Sequence, residues 1–222
     1  MAGAPLLHGF AEALPERDRA ALLARGRQRR YRQNTRVFTE GDSSDFVLVI
    51  VDGTVKIVVT TEQGDESLLG VRGPGDVIGE LAALDSEPRL ASVVALEPVT
   101  AHVVTAEEFR SFIAERPKAA VELMRMLIGR LREADRRRVE FGSYDATTRV
   151  ARLLVELADG LTADEHAALQ VPLSQHEIGE LVGTSRESVA RALAVLRDRD
   201  LVSTGHRSIR ILQLDALRSF HA

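Results

Sequence analysis

Between Tyr31 and Thr105 the apolar residues come in short β-branched runs cut by turn dipeptides, and after Thr105 they return at helical spacing almost to the end. This change of period constrains the fold more than any other feature. Strands gathered in one stretch and helices in the next build an α+β protein of separate layers, not an alternating α/β sheet. The 222 residues, 45% of them hydrophobic, suffice for two modest cores. Aromatics make up only 4% and Trp is absent, so those cores must be built from Leu, Val, Ile and Ala.

Residues 1 to 30 read as helical, with Phe10, Leu14, Leu22 and Leu23 on one stripe and Pro15 acceptable in a first turn. From Tyr31 the pattern changes. Val47 to Val51 and Val55 to Val59 flank Asp52-Gly53, a dipeptide that takes positive φ at both central positions and so predicts a hairpin. Gly64-Asp65 marks the next turn. Ser67 to Val71, Asp76 to Ile78, Ala91 to Leu96 and Thr100 to Val104 follow, punctuated by Arg72-Gly73-Pro74-Gly75 and Glu97-Pro98. Many short strands with regular turns predict an antiparallel barrel or jelly roll that ends near residue 105.

Thr105 to Glu108 is a capping box that opens a helix through Ile113, and Arg116-Pro117 interrupts it. Pro117 then suits the first turn of a longer helix reaching about Phe141. Along it Val121, Met124, Ile128 and Leu131 follow the three-four alternation of a coiled-coil seam, with Asp135 and Arg138 at the next two positions. A helix lying on its own barrel also needs an apolar stripe. This stripe is narrow, and Glu122, Arg125, Arg130, Arg132 and Arg136 occupy the other faces, which favours two helices paired about a two-fold axis.

Gly142-Ser143-Tyr144 looks like a hinge, and Asp145 can cap a helix from Thr147 to Leu157. Two further helical patterns cover Ser174 to Leu181 and Ser185 to Arg197. Leu201-Val202 and Ile209 to Leu212, around Gly205-His206-Arg207, read as a small β-wing. The expected organisation is a sensing β-domain over 1–116, a dimerisation helix over 117–141 and a winged helix-turn-helix over 145–222.

The absence of cysteine excludes disulfides, thiolate metal sites, cysteine nucleophiles and cysteine-ligated iron–sulfur clusters. Met1 to Phe10 lack a basic stretch followed by an apolar core, and no apolar run approaches the ~20 residues of a membrane helix, so the expected location is the cytoplasm, away from membrane. The six His are scattered, with no metal-ligand spacing, nucleophile motif or P-loop, so neither an enzyme nor a metal site is expected. His102 on a strand could serve as an axial haem ligand, but a packed or solvated histidine is the commoner case.

The net charge of −4 gives no general attraction to nucleic acid, so any DNA binding depends on local positive charge. Ser174 to Leu193 reads as two helices joined at Gly183, where glycine permits a sharp turn. On the second helix Val189, Ala192, Leu193 and Leu196 fall on one side, and Arg186, Glu187, Ala190, Arg191 and Ala194 on the other. Arg suits a bidentate bond to guanine and Glu accepts from the cytosine amino group, which makes Arg186, Glu187 and Arg191 candidate base readers. Glu187 can equally close a capping box with Thr184, and the two roles are compatible.

The run Ile178-Gly179-Glu180-Leu181-Val182-Gly183-Thr184-Ser185-Arg186-Glu187-Ser188-Val189-Ala190-Arg191 resembles the helix-turn-helix signature of the CRP/FNR family of transcription regulators. The resemblance implies that Arg186, Glu187 and Arg191 contact bases of a TGTGA-like half-site, with Ser174, His176 and Ser185 near phosphates. It further implies a homodimer on near-palindromic double-stranded DNA, and RNA polymerase as a partner.

A second constellation lies between strands, where Gly79-Glu80-Leu81 precedes Pro88-Arg89-Leu90-Ala91. Glu can accept from a ribose hydroxyl, Arg can pair with a phosphate, and backbone N–H groups after Gly79 can complete an anion nest. A surface Glu–Arg pair is the plainer account. The segment resembles the phosphate-binding cassette of cyclic-nucleotide-binding domains, and by that resemblance Glu80 holds the ribose and Arg89 the cyclic phosphate.

This chain departs from the family pattern at Leu90, bulky where nucleotide binders carry a small residue, and at Ala134 and Asp135, where cyclic-AMP receptors offer adenine two small polar side chains. Asp135 can accept from adenine, or from guanine N1–H and N2–H together, so cAMP and cGMP are both candidate effectors. Alternatively it pairs with Arg138 across the seam. The expected mechanism has effector in the barrel repack the seam near Asp135 and re-aim the winged domains about the hinge. A regulator that needs no cyclic nucleotide or senses another molecule, and a cyclic-nucleotide module acting on a protein partner, are the competing expectations.

Overall fold

The computed structural model describes residues 9–43, 45–62, 64–161, 170–205 and 208–220. It divides into two compact units, Leu7–Gly129 and Arg130–Ala222.

The first unit opens with α1 (Phe10–Ala13) and α2 (Glu16–Ala24), which Pro15 separates. Among the described residues there follow β1 (Arg27–Tyr31), β2 (Arg36–Phe38), β3 (Phe46–Asp52), β4 (Val55–Thr60), β5 (Glu66–Arg72), β6 (Val77–Ile78), then α3 (Glu80–Asp85), β7 (Ser92–Ala95) and β8 (Val99–Thr105). They form two antiparallel four-stranded sheets in the orders β1-β8-β3-β6 and β2-β7-β4-β5. Phe38, Leu48, Ile50, Val55, Val93 and Ala101, drawn from both sheets, make one buried core.

Two expectations change here. Asp52-Gly53 does not close a hairpin: β3 belongs to one sheet and β4 to the other, so the chain crosses between layers at that turn. The helical reading of residues 1 to 30 also stops early, because Arg27–Tyr31 pairs with β8 from Arg27↔Val103 to Tyr31↔Val99. This edge strand carries exposed arginines and no β-branched residue, so periodicity could not reveal it. The hairpin between β4 and β5, around Gly64-Asp65, forms in register Val55↔Arg72 to Thr60↔Glu66.

On its other face β3 buries Val47 and Val49 under a second core made by Phe10, Leu14 and Leu22, joined by Phe109 and Phe112 of α4 (Ala106–Glu115). A strand buried on both faces explains the unbroken apolar run Val47 to Ile50, whereas Val51 beyond it is exposed. Thr105 caps α4 by accepting from the Glu108 N–H at 3.2 Å. The long helix α5 (Pro117–Ser143) adds Ala119, Leu123 and Met126 to this core.

The second unit contains the end of α5, then α6 (Ala146–Leu161), β9 (Gln170–Val171), α7 (Gln175–Val182), α8 (Arg186–Asp198), β10 (Val202–Gly205), β11 (Ser208–Ile211) and α9 (Leu214–Arg218). Asp145 accepts from Thr148 N–H at 2.8 Å and so starts α6. Val150, Leu154 and Leu157 of α6, Ile178 of α7 and Leu193 and Leu196 of α8 are all buried. The wing is three-stranded, in the order β10-β11-β9, and its tip at 206–207 lies outside the described residues. None of the described helices is long and apolar enough to cross a membrane.

Candidate effector cassette and DNA-reading surface

The cassette begins where β6 ends. Gly79 caps α3 with φ +83°, a left-handed conformation that only glycine adopts cheaply. A β-carbon there would also collide with Arg89 Nη1 and come within 3.0 Å of the Phe38 ring. Arg89 lies inside the domain at 5% exposure, with its guanidinium 3.8 Å from the Phe38 ring centroid and 5.2 Å from that of Phe46.

Its Nη2 donates to Phe46 O at 2.5 Å and its Nη1 to Gly79 O at 3.2 Å. Burial lowers the Arg89 pKa from its ordinary value, against the opposing pull of Asp45, Glu80 and Asp42, but arginine starts so high that it stays charged. Glu80 is also buried, at 3%. A buried acid at the start of α3 and a buried guanidinium in the loop that follows it suit a ligand that carries both hydroxyls and an anion.

Leu81 is exposed, Ala91 is half-buried, and Leu90 stands 68% exposed. The bulk of Leu90 is therefore not packed into the domain. Ala134 and Asp135 are both exposed on α5, in the second unit, as is Arg138. His102 is held by its own unit, with Nδ1 2.9 Å from Leu23 O, as a packed histidine would be.

The seam residues Val121, Met124, Ile128 and Leu131 are exposed by 40 to 63%. Their opposite face, Ala119, Leu123 and Met126, is buried in the β-domain core. The long helix thus has both faces that the sequence offered as alternatives. One covers its own domain; the other leaves four large apolar side chains in water.

In the second unit Ser174 caps α7 by accepting from Glu177 N–H, and the buried Glu177 carboxylate returns a bond to Ser174 N–H at 2.9 Å, completing a capping box. Gly183 ends α7 at φ +62°. Gly179 lies so close to the turn that a β-carbon would be 2.7 Å from Thr184 O, so this glycine sets how tightly the two helices cross. Neither Glu177 nor Gly179 was singled out from the sequence, although Ser174-x-x-Glu177 is a capping-box signature that could have been read.

The expected Thr184–Glu187 box is not the one formed. Ser185 is the cap of α8 and accepts from Ser188 N–H at 3.2 Å. The Glu187 carboxyl bonds its own backbone N–H and the Ser185 hydroxyl, and with Arg186 and Arg191 nearby it is held below the usual carboxylate range. Arg186, Glu187 and Arg191 are all exposed on one side of α8, and Arg191 Nη2 donates to Ser188 Oγ at 2.8 Å. Ser174, His176 and Arg186 converge with Thr204 and Ser208 of the wing around a cleft of about 340 Å³.

The site thus consists of a buried Glu–Arg cassette in a β-domain, and an exposed Arg/Glu face on the second helix of a winged helix-turn-helix: a regulator that couples a ligand-binding fold to a DNA-reading one. Residues 28–116 match the model of the cyclic nucleotide-binding domain and residues 148–220 that of the Crp-like helix-turn-helix domain. The chain is 37% identical, over 82% of its length and 82% of the relative's, to the CRP-like cAMP-activated global transcriptional regulator of Mycobacterium tuberculosis. It is 34% identical to the cyclic AMP receptor protein of Thermus thermophilus, across 95% of this chain and 94% of that one. Among solved structures it is similar to FixK2 from Bradyrhizobium japonicum, with TM-score 0.74 and 25% identity over 89% of this chain and 98% of that one. The chain belongs to the CRP-like family of transcriptional regulators.

Proposed function

We propose that this regulator is a cytoplasmic homodimer whose DNA binding responds to a cyclic nucleotide held by Gly79, Glu80, Leu81, Arg89 and the backbone at Leu90-Ala91. The observation that carries the ligand class is the buried guanidinium of Arg89, already fixed over Gly79 at 5% exposure. Its two bonds to backbone carbonyls use two of the five N–H donors of a guanidinium, so a preplaced arginine here still has donors to offer a phosphate. Glu80 takes the ribose hydroxyl and Arg89 the phosphate. Two copies pair through Val121, Met124, Ile128 and Leu131, because four large apolar side chains on one exposed seam otherwise cost solvation with no return.

The dimer places Arg186, Glu187 and Arg191 in successive major grooves of a near-palindromic, TGTGA-like site, with Ser174, His176 and Ser185 against phosphates. RNA polymerase is the downstream partner, and no catalytic step or metal is involved. Isothermal titration with cAMP and with cGMP, on the wild type and on Arg89→Ala, tests the ligand. Micromolar binding lost in the variant supports the cassette, and the preferred base tells whether Asp135 reads the ligand. No heat from either nucleotide favours the second reading, a regulator that binds DNA without one; Leu90, Ala134 and Asp135 are the residues that motivate it.

A further inference from the structure

The segment expected to act as a free hinge, Gly142 to Asp145, is fastened on two sides within the second unit. On one side lies a chain of charges. Arg137 Nη2 bridges Glu133 of α5 and Glu156 of α6, the latter at 2.6 Å. Arg136 pairs with the other oxygen of Glu156 and stands 3.7 Å from Glu140, and Arg152 Nε donates to Glu140 at 2.8 Å. Three acids thus alternate with three guanidiniums along this chain. Glu133 and Glu140 are buried, and the Glu156 side chain is only 9% exposed.

The other fastening meets the DNA-reading turn. Arg149 Nη1 donates to Tyr144 O at 2.8 Å and Phe141 O at 3.3 Å, covering the carbonyls at the end of α5. The Phe141 ring lies against Gly183, where a β-carbon would stand 2.9 Å from it. From α6 the geometry continues into α7 and α8, which pack on it. The end of α5 and the recognition helix are therefore tied through α6 by side chains as well as by the backbone.

We infer that the chain Glu133–Arg137–Glu156–Arg136–Glu140–Arg152 is an electrostatic clasp that locks this elbow, and that Arg137 and Glu156 are positioning residues that fix where the recognition helix projects from the seam helix. Buried ion pairs contribute little net stability when compared with apolar packing, but their geometry is exacting, and removing one member strands a buried charge. That combination selects one elbow angle rather than strengthening the fold at large. In a dimer the elbow angle sets the distance between two recognition helices, hence the half-site spacing that is read. This consequence rests on the DNA reading proposed above; the clasp itself does not.

The test compares full-length wild type with Glu156→Gln, which keeps the shape of the side chain and removes its charge. Two quantities are measured: amide hydrogen exchange over residues 144–158, and selection from duplexes whose half-sites are separated by spacers of varying length. The expected result is exchange at least fivefold faster in that segment and a broadened spacing preference, with the melting transition still cooperative. Unchanged exchange would overturn the clasp, and faster exchange with an unaltered spacing preference would overturn the positioning role. If Glu156→Gln fails to fold, Arg152→Gln at the partly exposed end of the chain is judged by the same two readouts, with smaller shifts expected. Should wild type select no duplex at all, the DNA reading fails, while exchange still decides the clasp.

Discussion

The protein uses arginine in two opposite ways, and the contrast between the cassette and the recognition helix is instructive. Arg89 is buried, stacked on Phe38 and bonded to two backbone carbonyls. Arg186 and Arg191 are exposed, and the contact seen for Arg191 is a neighbouring serine hydroxyl. The first guanidinium gave up its water when the domain folded, so it is part of the domain's own packing before any ligand arrives. The other two stay exposed, and in the DNA complex proposed above they would exchange water for a base edge. One arginine should therefore matter to stability and the others to recognition.

The largest expected effect breaks the comparison at its buried end. Arg89→Ala removes a packed side chain together with its bonds to the carbonyls of Phe46 and Gly79, a loss of about 2–4 kcal/mol read in urea melts of the unliganded protein. Equal stability of variant and wild type would show that the arginine is not integral to the fold. Next comes Arg186→Ala, expected to shift stability by no more than about 0.5 kcal/mol. Specific duplex binding should nevertheless weaken by about 1–3 kcal/mol, with specificity relaxed at one base pair. A uniform loss across all sequences would demote Arg186 to a phosphate contact.

A third prediction concerns the buried charges of the elbow. Burial pushes the Glu156 carboxyl up, but the charge and hydrogen bond of Arg137 and the charge of Arg136 outweigh that and hold it below the usual carboxylate range. The folded protein thus binds this proton less tightly than the unfolded chain does. Stability from ionised Glu156 is fully present above the ordinary value of about 4.3 and is lost as pH falls through the depressed folded value. Melts taken from pH 7 down to pH 3 should show a steeper acid decline for wild type than for Glu156→Gln. Parallel declines would remove Glu156 from the acid response.

The smallest effect belongs to Ser188→Ala. It frees Arg191 from its tether, with specific affinity expected to fall less than about threefold, since an exposed hydrogen bond contributes about 0.5 kcal/mol or less to holding a side chain. If the same substitution costs nothing when Arg191 is already Ala, the serine acts through the arginine.

Local rules made much of this molecule legible. The shift from β-branched runs to helical spacing marked where strands give way to helices, Pro117 and Asp145 marked helix starts, and Gly183 marked the turn. Each reports on residues within one or two turns of itself. The same logic misplaced Asp52-Gly53, because that dipeptide specifies a turn and not which sheet receives the next strand. It missed β1, where pairing with β8 overrides a polar, arginine-rich sequence. It also credited Thr184 with a cap that Ser185 makes, two adjacent hydroxyls being equivalent on paper.

In the sites, residue types were readable but their states were not. Side-chain chemistry, together with the resemblance to the CRP/FNR signature and the phosphate-binding cassette, points to Glu80, Arg89, Arg186, Glu187 and Arg191 as groups able to meet a ligand or a base. Nothing in the string could show that Arg89 is enclosed by Phe38 and Phe46, which come from β2 and β3, or that Leu90 beside it faces water. Nor could it show that the expected hinge is clasped, since Glu133 and Glu156 are 23 positions apart and meet only because α6 folds back along α5. The sequence by itself determined elements, caps and the chemistry on each helix face, because those depend on neighbours along the chain. Burial, sheet partnership and the joining of charges were decided by tertiary structure alone, because they depend on which distant surfaces exclude water together.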